Sequence, residues 1–243
     1  MSLLEINDLS VVFGRGQRRN VALDSVTLSV EPGETLGLVG ESGSGKSTLA
    51  SVALGLRAPT SGEVTFDGGP LTRRRLAGRM QAVLQQPVWA LNPRMSIFAS
   101  VAEPLRVRTR DRSEVRRRVE EMLDAVALEA ELQQRRPHEL SGGQRQRVAI
   151  ARALVTHPEF IVFDEAVSAL DVSVQAQILQ LIRKLQREHG FAALFITHDM
   201  SVVQYIADEV CVLRSGEVVE LARADAFAAG PQHPYSRSLL EER

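Results

Sequence analysis

Cysteine is all but missing from this 243-residue sequence, where Cys211 stands alone. A single cysteine forms no disulfide within the chain and cannot build an all-cysteine metal site. Long hydrophobic runs are missing as well. The longest, such as Phe191 to Ile196, have strand length and fall far short of the ~18 apolar residues of a membrane span. The opening MSLLEINDLS lacks the charged start and apolar centre of a secretion signal. Net charge is nearly absent, because 29 Lys and Arg face 30 Asp and Glu. No global attraction to nucleic acid or to an anionic membrane is therefore expected. Internal repeats and low-complexity segments are also lacking. What remains, 44% hydrophobic and 24% charged residues, is ordinary for a globular protein. The length fits one large domain, or a core with a smaller insert. The expectation is a soluble, cytosolic chain that does not itself cross a membrane.

Three regions differ in pattern. Residues 1–70 are β-rich, since LLEINDLSVVF and VALDSVTLSV alternate apolar and polar residues, and GEVTFDGG is a short strand running into a glycine turn. GETLGLVG is a near-continuous apolar strand that enters a glycine-rich loop. STLASVALGL follows at helical spacing, and its helix is expected to stop near Pro59. From about residue 88 to 150 the chain becomes rich in Arg and Glu. There Val115, Val119, Met122, Leu123 and Val126 recur at the spacing of an amphipathic helix. Strands and helices then alternate again. FIVF is a buried strand, VQAQILQLIRKLQREHG a helix stopped by Gly190, FAALFIT a second buried strand, and EVCVLRSGEVVE a hairpin turning at Ser215-Gly216. This alternation predicts an α/β fold with a largely parallel sheet. The last stretch predicts a helix, a Gly-Pro break and a short tail.

Gly40-Glu41-Ser42-Gly43-Ser44-Gly45-Lys46-Ser47 fits G-x-x-x-x-G-K-[ST] between a predicted strand and a predicted helix. The glycines let the backbone curl so that successive N–H groups face an anion, and the helix start adds partial positive charge. Lys46 is placed to neutralise β- and γ-phosphates, Ser47 to ligate Mg2+, and Thr48 to donate to the α-phosphate. The plainer alternative is a Gly/Ser turn that caps a helix.

Phe160 to Phe163 lead into Asp164 and Glu165, a buried strand that ends in two carboxylates. Alone, these could be ordinary surface acids at a strand end. Beside a phosphate loop, Asp164 is where a Mg2+ partner belongs, and Glu165 can orient and deprotonate a water attacking the γ-phosphate. His198 follows the strand FAALFIT and could contact that phosphate. A lone histidine there is more often a loop residue, so its weight comes from its company.

Leu140-Ser141-Gly142-Gly143-Gln144 forms a second possible anion nest at a helix start, although one nucleotide needs only one. Here the sequence resembles the ATP-binding cassette family of transport ATPases, whose signature is LSGGQ. The resemblance covers almost the whole chain, with motifs in the family's order: the phosphate loop, Gln85, the signature, Asp164-Glu165, Ser168-Ala169-Leu170-Asp171 and His198. It implies a P-loop nucleotidase core with an N-terminal antiparallel β subdomain and an inserted helical subdomain. The core would span residues 1–87 and 151–225, the helical signature subdomain 88–150, and a short C-terminal tail 226–243.

The resemblance also implies ATP and Mg2+ as ligands. Gln85 would join Ser47 and Asp164 at the metal and touch the attacking water, with Glu165 as base and His198 as switch. Two cassettes, identical or different, would pair head to tail. Ser141, Gly142, Gly143, Gln144 and Asp171 of one would then reach the ATP held by the other. The family stacks adenine on an N-terminal aromatic, for which Phe13 is best placed, with Arg15, Arg18 and Arg19 as alternatives and a core role for Phe13 still open.

Ala90 to Met95, Pro137-His138-Glu139, Asp164 to Ser168, and His233-Pro234-Tyr235 with Leu239-Leu240 resemble the dipeptide, oligopeptide and nickel importer branch. The implied partners are integral membrane permease subunits and, indirectly, a substrate-binding protein, with the chain held at the cytoplasmic face of the membrane. Val88 to Met95, including Trp89, is the expected contact with the membrane subunits. Peptide is the favoured cargo, and nickel or a metallophore is the alternative.

Arg73 to Arg75 and the run from Arg106 to Arg118 invite a nucleic-acid reading. Because 27 of the 29 basic residues are arginine, such clusters partly reflect composition, and a solvated helix face is the simpler expectation. No nucleic-acid partner is expected. A soluble cassette acting on nucleic acid or ribosomes is the rival of another class. Against it, only one phosphate loop is present, and no sustained heptads lie between that loop and the signature.

Overall fold

The computed structural model describes residues 2–14, 16, 19–85 and 91–241. Among these, β1 (Leu4–Phe13), β2 (Asn20–Val30), β3 (Thr35–Val39), α1 (Lys46–Ala53), β4 (Ser61–Phe66), β5 (Gly69–Pro70) and α2 (Arg73–Leu76) come first. Then follow β6 (Met80–Val83), α3 (Ile97–Arg106), α4 (Arg112–Ala125), α5 (Gly142–Leu154), β7 (Phe160–Asp164) and α6 (Val172–His189). The last elements are β8 (Ala192–Ile196), α7 (Met200–Ile206), β9 (Glu209–Arg214), β10 (Glu217–Arg223), α8 (Ala224–Ala229) and α9 (Pro234–Glu241). The chain divides into two compact units, residues 1–77 with 192–243, and residues 78–191.

In the first unit, alternation in sequence becomes a sheet with one covered face. Val26, Leu28 and Val30 of β2 are buried while Thr27 and Ser29 are exposed. β1 is antiparallel to both β2 and β4, and β5 extends the edge. β3 differs, because all five of its residues are buried. It pairs in parallel with β8 on one side and β9 on the other, and β10 closes the edge as the antiparallel partner of β9. A strand covered on both faces must be apolar throughout, which explains why TLGLV shows no alternation. Val39, Val203, Val210, Val212, Phe227 and Tyr235 form one core cluster, with Leu239 and Leu240 packed against it. Burying a side chain the size of Phe227 stabilises the fold by about 2–3 kcal/mol.

One expectation changes here, and another gains detail. α1 ends at Ala53, well before Pro59, because Gly55 turns left-handed at φ 66° and donates its N–H to Val52 O. The short tail expected beyond the Gly230-Pro231 break is helical and forms α9. α9 is held by the buried Tyr235 and by Leu239 and Leu240 against the core.

In the second unit β6 and β7 pair in parallel, from Met80 opposite Phe160 to Val83 opposite Phe163. Helix α4 carries the amphipathic pattern expected from its spacing. The Asp111 carboxylate caps α4 by accepting from the N–H groups of Ser113 and Glu114, and Val115, Val119, Met122 and Leu123 form its buried face. The arginines of that helix pair along its surface, Arg116 with Glu120 and Arg117 with Glu121. Arg118 reaches Val155 O. Such exposed i,i+4 pairs contribute only about 0.3–0.5 kcal/mol each, and they match the solvated face expected from the sequence. No helix among the described residues is long and apolar enough to cross a membrane.

Candidate functional site

The loop from Gly40 to Ser47 leaves the C-terminal end of β3 and turns into α1. Its shape is dictated by one close approach. Gly40 has φ 149°, and a Cβ there would lie 2.1 Å from Leu213 O, so only glycine lets the strand end pass the tip of β9. Gly40→Ala is expected to destabilise the protein by about 2 kcal/mol or more, read as a lowered denaturant midpoint. An unchanged midpoint would show that the loop yields freely around the methyl group. Further along, the Ser44 N–H donates to Glu41 O at 3.2 Å, and the Gly216 N–H donates to Ser44 O at 2.9 Å. The hairpin turn at Ser215-Gly216 thus braces the loop.

Lys46 closes the curl. Its side chain is buried, and its ammonium donates to Gly40 O and Glu41 O, both at 2.7 Å, with Ser44 Oγ at 3.4 Å. A buried positive charge within a ring of loop backbone is the arrangement an anionic phosphate chain requires. The mouth of the loop is open. Glu41, Ser42 and Gly43 are exposed, and a Cβ at Gly43 would meet nothing within 4 Å. Ser47 is exposed on the first turn of α1, and Thr48 behind it is half-buried.

His198 is exposed just past β8, the parallel neighbour of β3, so it leaves the same edge of the sheet as the loop. The C-terminal edge of parallel strands is where α/β sheets bind ligands. The Asp199 carboxylate fixes the turn after His198 by accepting from the N–H groups of Ser201 and Val202, which caps α7. Phe13 is half-buried at the end of β1, with the Arg57 guanidinium 4.5 Å from its ring centre. One face of that ring is therefore already covered by a cation. Of the alternative stacking residues, Arg15 and Arg18 lie outside the described residues.

In the second unit, Phe160 to Phe163 are fully buried, and Asp164 and Glu165 emerge half-buried at the strand end. Glu165 has φ 47°, an uncommon backbone conformation for a residue with a side chain. It is held there by Ser168, whose N–H and Oγ–H both donate to Glu165 O. The Gln85 amide Nε2 donates to Glu165 Oε2 at 2.6 Å. Spacing alone gave no sign of this bond across 80 positions. β6 and β7 run in parallel, so their C-terminal ends bring Gln85 and Glu165 to one edge.

Ser141 caps α5 through a reciprocal pair of bonds. Its hydroxyl accepts from the Gln144 N–H, and its own N–H donates to Gln144 Oε1. Gly142 is exposed at this helix start, while Gly143 is half-buried, and a Cβ on Gly143 would come 2.7 Å from Val174 of α6. Asp171 is exposed at the start of α6. Val88 and Trp89 lie outside the described residues, whereas Met95 is half-buried.

No three His, Cys, Asp or Glu side chains cluster as a metal cage among the described residues. The Ser47 hydroxyl belongs to the first unit, and the Gln85 amide and the Asp164 carboxylate to the second. Each offers an oxygen of the kind a hard cation such as Mg2+ takes. Cys211 takes no part, since burial pushes its thiol up to about 12 and keeps it protonated.

A family model described as ABC transporter matches residues 23–168. OppF of Bacillus subtilis, an oligopeptide transport ATP-binding protein, is 46% identical over 247 residues, spanning 98% of this chain and 81% of the relative. AmiF of Streptococcus pneumoniae, also an oligopeptide transport ATP-binding protein, is 42% identical over 98% of this chain and 80% of its own length. Among solved structures, the dimeric cassette MJ0796 in a post-hydrolysis state with ADP and Pi is 33% identical. It superposes with a TM-score of 0.80 over 91% of this chain and 98% of that one. CbiO1 of Clostridium perfringens, part of the transporter complex cbiONQ, has a TM-score of 0.85 at 28% identity, over 94% of this chain and 91% of that one.

Proposed function

We propose that this chain, which belongs to the ABC transporter family, is the ATP-hydrolysing subunit of an importer of oligopeptides. The observation that carries the reading is the match of 98% of the chain to OppF. The curled loop around Lys46 gives that match a physical basis.

The residues divide the work. The backbone N–H groups of residues 42–48 and the Lys46 ammonium bind the phosphate chain, Gly40 and Glu41 form the start of the loop, and Phe13 stacks on adenine. Mg2+, held by Ser47, Gln85 and Asp164, supplies charge neutralisation at the phosphates when bound. Glu165 accepts a proton from the attacking water, and Gln85 orients that water. His198 donates to the γ-phosphate. Phosphoryl transfer leaves the protein little covalent chemistry, so positioning and charge do most of the catalysis.

A second cassette, identical or paralogous, completes the site with its Ser141, Gly142, Gly143, Gln144 and Asp171. Residues 1–87 and 151–225 act as the nucleotide-binding core, 88–150 as the signature subdomain, and 226–243 as a C-terminal appendage. Membrane permease subunits hold the pair at the cytoplasmic face and are contacted by residues 88–95. A substrate-binding protein delivers the cargo. The relatives named for oligopeptide transport favour peptide over nickel or a metallophore.

The test is reconstitution of the chain with its membrane subunits in proteoliposomes. ATP hydrolysis is expected to rise several-fold when a peptide-loaded binding protein is added outside. Stimulation by a nickel-loaded binding protein alone would reassign the cargo, and stable co-purification with ribosomes instead of membrane subunits would overturn the importer reading.

A further inference from the structure

The phosphate loop is gripped from the far end of the sequence. The Glu41 N–H donates to Tyr235 Oη at 3.0 Å. The carbonyl of the same residue accepts from Lys46 Nζ at 2.7 Å. Glu41 is thus held on both sides, by the phenol at its amide and by the ammonium at its carbonyl.

Tyr235 is itself placed by three independent contacts. Its ring lies in the core cluster with Val39, Val203 and Phe227 and is 6% exposed. The Arg214 guanidinium covers the ring 4.6 Å from its centre. The turn leading into α9 is pinned to β10, because the Glu220 carboxylate accepts from the Gln232 N–H at 2.7 Å and the His233 N–H at 3.1 Å. The Tyr235 N–H then donates to His233 Nδ1. A hydroxyl on a rigid ring, anchored this way, fixes what it touches.

We infer that Tyr235 is a positioning residue of the ATP site, whose hydroxyl holds the Glu41 amide and so keeps the first half of the phosphate loop in its receptive curl. The inference rests on the reading of residues 40–48 as that site. Without the hydroxyl, Glu41 is released on one side, and Lys46 loses a fixed partner on the other. The loop then spends part of its time in arrangements that do not accept phosphate, and affinity falls by the lost fraction. ATP and ADP should suffer alike, because the loop is disordered before either arrives.

The experiment is Tyr235→Phe, which keeps the ring, its packing and its cation contact. The Kd values for ATP and ADP, and the KM for ATP, are expected to rise about 3–10-fold, the range of one neutral hydrogen bond. At saturating ATP, kcat should stay within about two-fold. A merely structural role gives the opposite split, since a partly misfolded population lowers kcat and leaves KM alone. Lys46→Ala separates the two layers of the argument. If Lys46→Ala binds nucleotide undiminished, the reading of the loop falls. If Lys46→Ala loses nucleotide while Tyr235→Phe retains full affinity for both, the inference about Tyr235 alone falls.

Discussion

Glu165→Gln is expected to bind ATP and scarcely hydrolyse it, with turnover reduced about 100- to 10,000-fold, the usual contribution of a positioned general base. The substitution is nearly isosteric, and the local structure tolerates it. Residue 165 keeps its backbone bonds from Ser168. The Gln85 amide can still donate to a side-chain oxygen at the same place, where it now lies 2.6 Å from Glu165 Oε2. What disappears is an oxygen basic enough to take a proton from water. ATP should therefore persist between paired cassettes, and the variant should elute as an ATP-dependent dimer in size-exclusion chromatography. Steady-state phosphate release measures the loss. Hydrolysis within a few-fold of the parent would remove Glu165 from the role of base.

Lys46→Ala should lose affinity and activity together. The ammonium makes charge-assisted bonds to two loop carbonyls, and its charge is the strongest attraction the loop offers a triphosphate. Charged hydrogen bonds contribute about 1.5–3 kcal/mol each, so ATP affinity is expected to fall at least about 100-fold, as read by nucleotide titration. The Gly40 and Glu41 carbonyls would also lose their donor, so the curl should loosen even without nucleotide. An alanine variant that bound ATP normally would place the phosphates elsewhere.

Much of this was legible in the residues themselves. The strand–loop–helix around Gly40 to Ser47, the buried run of Phe160 to Phe163 and the amphipathic α4 are local patterns, and local patterns survive in sequence. Val115, Val119, Met122, Leu123 and Val126 are all buried, as their spacing predicts. Contacts between distant residues left no such trace. The bond from Gln85 to Glu165 depends on β6 and β7 lying side by side, and the bond from Glu41 to Tyr235 depends on where α9 packs. Pro59 is the more conspicuous breaker after α1, but Gly55 acts first and ends the helix earlier. In sequence His233-Pro234-Tyr235 is only a mark of kinship, and its tyrosine's bond to Glu41 comes from the packing of α9.

The pairing of β3 also orders events while the chain is being made. Leu36 lies opposite Leu194 on one side and Glu209 on the other, so the strand that carries the phosphate loop emerges long before either neighbour. At roughly 5–20 residues per second, the wait is on the order of ten seconds. During that interval Gly40 has no Leu213 carbonyl to pass and Glu41 has no phenol to hold it. A nascent chain therefore displays the whole phosphate motif before the contacts that shape it exist, and the loop gains its braces only once β9 and α9 have been made.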